Sequence, residues 1–169
     1  MLENIWAGWR SVYLDDPSRR DREPDGRSVF SRILETASDD VEANIVHRSE
    51  HVFVILNAYP YSVGHLLVVP YRQFSELPDA SPVEAADLWS TVTLATRALI
   101  DEYQPAGLNV GLNLGASAGG SVRDHLHVHV VPRWVGDSNF LVATAHTKAI
   151  PEALDVTAAR LAAAFRRIG

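Results

Sequence analysis

Residues 125–131 read His-Leu-His-Val-His-Val-Val, and this strict alternation of imidazole with apolar side chains constrains the local fold more than any other stretch. Along a strand successive side chains point to opposite faces, so positions i, i+2 and i+4 share one. His125, His127 and His129 then line one surface with neighbours about 6.8 Å apart, while Leu126, Val128 and Val130 fill the other face against a core. On a helix the same spacing scatters the imidazoles around the axis and leaves the apolar residues without a stripe. The segment His125–Pro132 is therefore read as a strand.

Three imidazoles on one face are a poor choice for packing alone, because each needs hydrogen-bond partners and each is costly to bury without them. They suit chemistry: a neutral imidazole is a good nucleophile near pH 7. A metal site is the competing reading, since His at i and i+2 ligates zinc with a further His or carboxylate. By parity the nearest acid, Asp124, falls on the opposite face. Just upstream, Gly111–Ser121 (GLNLGASAGGS) is small and polar. Such a loop brings backbone N–H groups close to phosphate oxygens. Here it precedes three aligned nitrogens.

The rest of the chain supplies an α+β frame. His51–Asn57 (HVFVILN) and His65–Pro70 (HLLVVP) read as strands joined by a turn containing Pro60 and Gly64, and Leu108–Leu114 as a third strand. Ser81, Pro82 and Glu84 form a capping-box pattern that opens a helix to about Glu102, with Leu88, Trp89, Val92, Leu99 and Ile100 expected towards the core. Pro105 and Gly107 end it. Pro151 opens a last helix with Leu154, Ala158, Leu161, Phe165 and Ile168 on one stripe. Turn-linked strand pairs favour an antiparallel sheet over a doubly wound one. The whole chain, 1–169, is read as one domain, with a charged loop at about 15–27. The aromatic segment Ile5–Tyr13 reads as an element docked on the core or as a surface that stacks on a base.

A net charge of −6 argues against a nucleic-acid footprint but not against a small phosphate ligand. No apolar run reaches membrane-span length, and no secretory signal opens the chain, so a cytoplasmic protein is expected. With no cysteine, disulfides and thiolate metal sites are excluded.

The motif HLHVHVV resembles the histidine triad (HIT) superfamily pattern His-φ-His-φ-His-φ-φ at every position, where φ is apolar. A second block, Asn57–Pro70 (NAYPYSVGHLLVVP), is similar to that superfamily's upstream hairpin. The segments IWAGWR and VPRWVGDSNF resemble a bacterial branch similar to diadenosine tetraphosphate (AP-4-A) phosphorylases. The resemblance implies a HIT-like antiparallel sheet with a long helix and a C-terminal helix, joined to a second protomer's sheet in a homodimer or higher oligomer.

It also implies roles. His127 matches the nucleophile that attacks the α-phosphate, His129 the residue that binds phosphate and assists the leaving group, and His125 the residue that supports the site. Asn57 falls where the nucleotide ribose is held. Asn113 and Ser121, with Gly119 and Gly120, fall where phosphate oxygens or the attacking group are held. Phe53, Ile55 and Leu67 fall near the base and ribose pocket, and His65 is a further candidate for substrate binding.

Two departures carry information. Many members have a zinc-binding Cys-x-x-Cys where this chain has Ser28-Val-Phe-Ser31, so His65 and His125 are not expected to hold structural zinc, and no cofactor is required. Many hydrolase members have Gln four residues before the first His, where this chain has Ser121. The smaller side chain leaves room for inorganic phosphate as acceptor. Phosphorolysis of diadenosine tetraphosphate through a nucleotidyl-histidine is the expected activity. A HIT-type nucleotide or dinucleoside polyphosphate hydrolase and a non-catalytic nucleotide-binding protein are the alternatives.

Overall fold

A computed structural model describes residues 25–120, 122–137 and 150–169. In chain order the elements are α1 (Val29–Thr36), α2 (Asp40–Ala43), β1 (Ile45–Arg48), β2 (Val52–Leu56), β3 (Leu66–Pro70), α3 (Pro82–Tyr103), β4 (Gly107–Gly111), β5 (Val128–Arg133) and α4 (Leu154–Ile168), with single 3-10 turns at Leu77–Asp79 and Ala116–Ala118. The five strands form one antiparallel sheet in the order β1-β2-β3-β5-β4. This is the expected α+β sheet. The segment Ile5–Tyr13, most of the charged loop and Ser121 lie outside the described residues.

Parity separates the two faces of the sheet. Val52, Val54, Leu56, Leu66, Val68, Val128 and Val130 point to α3 and α4 and form the larger core with Leu88, Leu99, Leu161 and Phe165. Phe53, Ile55, Leu67 and Val69 point the other way and pack with Phe30 and Ile45. Because β2 and β3 are buried on both faces, they read as continuous apolar runs rather than alternating ones.

The capping box of α3 forms as expected: the Ser81 side chain accepts from the Glu84 amide while Glu84 reaches back to the Ser81 amide. Two of the expected core contacts of α3 do not form. Trp89 is 45% exposed and Ile100 53%, because each stands about 100° around the helix from the buried Leu88 and Leu99. The inward stripe is instead Leu88, Thr91, Val92, Ala95, Ala98 and Leu99. The helix stops at Tyr103, with Gln104 left-handed, and Gly107 begins β4 rather than ending the helix.

The last helix starts at Leu154, three residues after Pro151. Glu152 accepts from the Tyr103 hydroxyl and from Thr157 Oγ1, which ties the intervening turn to α3 before winding begins. The expected apolar stripe of this helix is present, with Ala158, Leu161 and Phe165 buried.

Candidate active site

The strand that carries the triad is shorter than its sequence pattern suggests. Only His129 sits within β5; His125 and His127 lie on the segment leading into it, where the Leu126 amide bonds the Phe74 carbonyl at 2.6 Å. The alternation survives: Leu126, Val128 and Val130 enter the larger core, and the three imidazoles face the other side. The His127 and His129 rings lean together, with centroids 4.9 Å apart. Antiparallel register places Ile45, Ile55, Leu67, His129 and Gly111 in one row across the sheet. The apolar residues matched to a base and ribose pocket therefore share the triad's face. Phe53 is fully buried there and Ile55 and Leu67 nearly so, covered by the α1 side that carries Phe30, Ile33 and Leu34.

Hydrogen bonds fix the proton on each ring. His127 Nδ1 is 2.9 Å from the His125 carbonyl, which only accepts, so Nδ1 carries the hydrogen and Nε2 keeps a free lone pair. Burial pushes the His127 imidazolium down from the usual histidine range and favours the neutral, nucleophilic form, against the opposing effect of that carbonyl. His125 Nε2 donates to the Pro70 carbonyl at 2.8 Å, so its Nδ1 accepts, and the Ser28 hydroxyl 2.6 Å away is the donor.

His65 enters from the turn before β3. Gly64 there has φ +75°, and a Cβ would lie 3.0 Å from Leu99 Cδ2, so a glycine is required. The Tyr61 amide donates to His65 Nδ1 at 3.0 Å, and Asn57 Nδ2 lies 3.3 Å from the same nitrogen. His65 Nε2 faces His129 Nδ1 at 2.9 Å. On its other side, His129 Nε2 is 3.3 Å from Asn113 Nδ2. A Cβ on Gly120 would come within 3.2 Å of the Asn113 Cβ, so this glycine backs directly onto the amide. His129 is held well down, at about 4, first by burial and then by His127.

The structure thus gathers His125, His127, His129, His65, Asn57, Asn113 and Gly120 at one end of β5. Asn57 is turned towards His65, and its Oδ1 accepts from the Tyr59 amide at 3.0 Å. Gly119, left-handed at φ 84°, closes the short turn before Gly120. Sequence reading noted Ser28 only as a poor zinc ligand, not as a partner of His125, and missed Phe30, Gln73 and Tyr61. Phe30 sets its ring edge-on to both His125 and His127, at 5.5 and 5.3 Å. Tyr61 stacks near His129, with centroids 6.1 Å apart. No periodicity marks these residues: Ser28, Phe30 and Gln73 act across long sequence separations, and Tyr61 acts on His65 through its backbone amide, which no side-chain pattern encodes.

The donors near His125 do not suit zinc. Ser28 and Ser31 offer hydroxyls already engaged with His125 and Gln73, and a serine hydroxyl is a poor zinc ligand. His65 is paired with His129 instead. What the arrangement offers is a neutral nitrogen nucleophile beside N–H donors suited to phosphoryl oxygens.

The profile of the HIT domain matches residues 38–135. The AP-4-A phosphorylase of Mycobacterium tuberculosis (strain H37Rv) is 43% identical over 169 residues, covering 98% of this chain and 86% of that one. The bis(5'-adenosyl)-triphosphatase of Saccharomyces cerevisiae (strain S288c) is 33% identical over 113 residues, 64% of this chain and 52% of that one. Among solved structures, a Zn-bound histidine triad family protein from Mycobacterium smegmatis superposes with a TM-score of 0.68 at 27% identity, covering 83% of this chain and 94% of that one. The alternating imidazoles, the sheet that carries them and these similarities have one reading: the chain belongs to the HIT domain family.

Proposed function

We propose that the chain catalyses nucleotidyl transfer through a covalent nucleotidyl-His127, with diadenosine tetraphosphate as substrate and inorganic phosphate as acceptor. The observation that carries this reading is the bond from His127 Nδ1–H to the His125 carbonyl, which leaves Nε2 free to attack. Nε2 bonds the α-phosphorus, the bond to the bridging oxygen breaks, and ATP leaves. A phosphate oxygen then attacks the same phosphorus, the phosphorus–nitrogen bond breaks, and ADP leaves with His127 restored. His129 and Asn113 hold phosphoryl oxygens through both steps, and splitting one displacement into two lowers each barrier.

Ser121, with Gly119 and Gly120, is assigned the acceptor's space and Asn57 the nucleoside end, while Phe53, Ile55 and Leu67, buried beneath α1, pack that face of the sheet rather than line an open pocket. The similarity to the M. tuberculosis phosphorylase supports the choice of acceptor. No zinc or other cofactor is assigned a part. The β4 edge, largely exposed along its length, supports a homodimer that continues the sheet. Among the described residues no helix is long and apolar enough to cross a membrane.

Product analysis tests the reading. Diadenosine tetraphosphate with millimolar phosphate is expected to give ADP and ATP in equal amounts, with slow turnover when phosphate is left out. Rapid formation of AMP and ATP, unchanged by phosphate, leaves a hydrolase and removes the phosphorylase.

A further inference from the structure

Beneath the triad, Ser28 and Ser31 at the start of α1 and Gln73 beyond β3 form a polar cluster around His125. Ser28 and His125 are almost wholly buried. Each proton in the cluster has an assigned direction. The Pro70 carbonyl takes the hydrogen of His125 Nε2, and Ser28 Oγ donates to Nδ1. Ser28 Oγ accepts from the Ser31 amide at 3.1 Å. Gln73 Oε1 accepts from the Ser28 amide at 2.9 Å and from Ser31 Oγ at 3.0 Å, while Gln73 Nε2 donates to the Gly26 carbonyl at 3.0 Å. The His125 ring is therefore pinned at both nitrogens, by groups 97 and 55 residues away.

The same residue supplies the carbonyl that holds the His127 hydrogen on Nδ1. We propose that Ser28, supported by Gln73, is a positioning residue for the transfer reaction: its hydroxyl clamps His125 so that the His125 carbonyl keeps His127 in the Nδ1–H form. This rests on the reading of His127 as nucleophile. A hydrogen on Nε2 would occupy the lone pair that attacks, so holding the tautomer raises the fraction of competent enzyme. Ser28 is also the N-cap of α1, the helix that sets Phe30 against both rings, so one side chain fixes the site from below and beside it.

Imidazole nitrogen NMR on the intact protein tests this without substrate. In the wild type at pH 7, His125 is expected to carry its hydrogen on Nε2 and His127 on Nδ1; a His127 hydrogen on Nε2 overturns the proposal. Ser28→Ala is expected to give mixed His127 tautomers and a kcat about 10-fold lower at nearly constant KM. Ser28→Thr, which keeps the hydroxyl, is expected to restore both.

Ser28→Asp separates clamping from capping, because it keeps the cap acceptor but has no proton to donate. It is expected to place a hydrogen on His125 Nδ1 and to leave kcat low. Wild-type tautomers and kcat in either Ser28→Ala or Ser28→Asp overturn the proposal. If the chain shows no phosphorolysis, the tautomer spectra still decide the clamp; if the clamp fails, product analysis still decides the reaction.

Discussion

His65 Nε2 lies 2.9 Å from His129 Nδ1, and the direction of that hydrogen bond is set from outside the pair. The Tyr61 amide can only donate, so His65 Nδ1 accepts and His65 Nε2 carries the hydrogen. His129 Nδ1 then accepts, and its Nε2 presents an N–H beside the Asn113 amide. Two donors side by side do not bond one another; they share an external acceptor, and a phosphoryl oxygen fits that role. His65→Ala removes the donor that orders this chain. We expect kcat/KM to fall by roughly 10–100-fold, less than loss of a donor that touches substrate. Steady-state rates at fixed phosphate check this, and an unchanged value rules out the relay.

His127→Ala is expected to abolish turnover while far-UV circular dichroism stays as in the wild type. The flanking Leu126 and Val128 lie in the core on the opposite side, so the strand keeps its apolar anchor. Packing against Phe30 is lost, at a cost of about 1–3 kcal/mol. His129→Ala removes stabilisation rather than the covalent step, and a loss of ~10²–10³-fold is expected. Mass spectrometry of acid-quenched enzyme with substrate but no phosphate should find a nucleotidyl adduct on the wild type and none on His127→Ala.

Acid inactivation should come late. Burial lowers His127 below the usual histidine range and His129 to about 4, so both stay neutral through pH 7 and below. The acid limb of kcat/KM should therefore lie below pH 6.5, the ordinary value. Stability follows the same groups with a defined sign. In the window between about 4 and 6.5 the unfolded chain binds protons that folded His129 does not. Stability from this residue is full above that window and is lost as pH falls through it. Thermal melts from pH 7.5 to 4.5 check this, and His129→Ala should flatten the decline.

Gly120→Ala is expected to impair the reaction without unfolding the sheet. The new methyl would stand 3.2 Å from the Asn113 Cβ, tighter than ordinary contact, and Asn113 would have to give way. Displacing its amide by a few tenths of an ångström weakens one donor to phosphate, and a loss of roughly 10-fold in kcat/KM is expected. The melting temperature should stay within a few degrees. A wild-type rate would show that Asn113 does not act at this step.

What the sequence by itself determined is what local periodicity and local chemistry encode. Alternation at His125–Val131 placed three imidazoles on one face, because strand geometry has a period of two. Ser81, Pro82 and Glu84 marked the start of α3, because a capping box needs only residues three apart. The two apolar runs that became β2 and β3 were legible from composition. The short α1, α2 and β1 were not, since their stability comes from packing against distant strands rather than from a sustained pattern.

Tertiary structure alone decided the chemical state of each imidazole. His125 is oriented by Ser28 and Pro70, His129 by His65, and His65 by Tyr61; three of these four partners come from more than 50 residues away. Which nitrogen holds a proton depends on what faces it in space, and sequence spacing carries no information about that. The same reason explains Trp89 and Ile100: apolar character made them candidates for the core, but the rotation of α3 against the sheet exposed them. Alternation placed His127 among three aligned imidazoles, and long-range packing set which nitrogen of each neighbouring ring holds a proton.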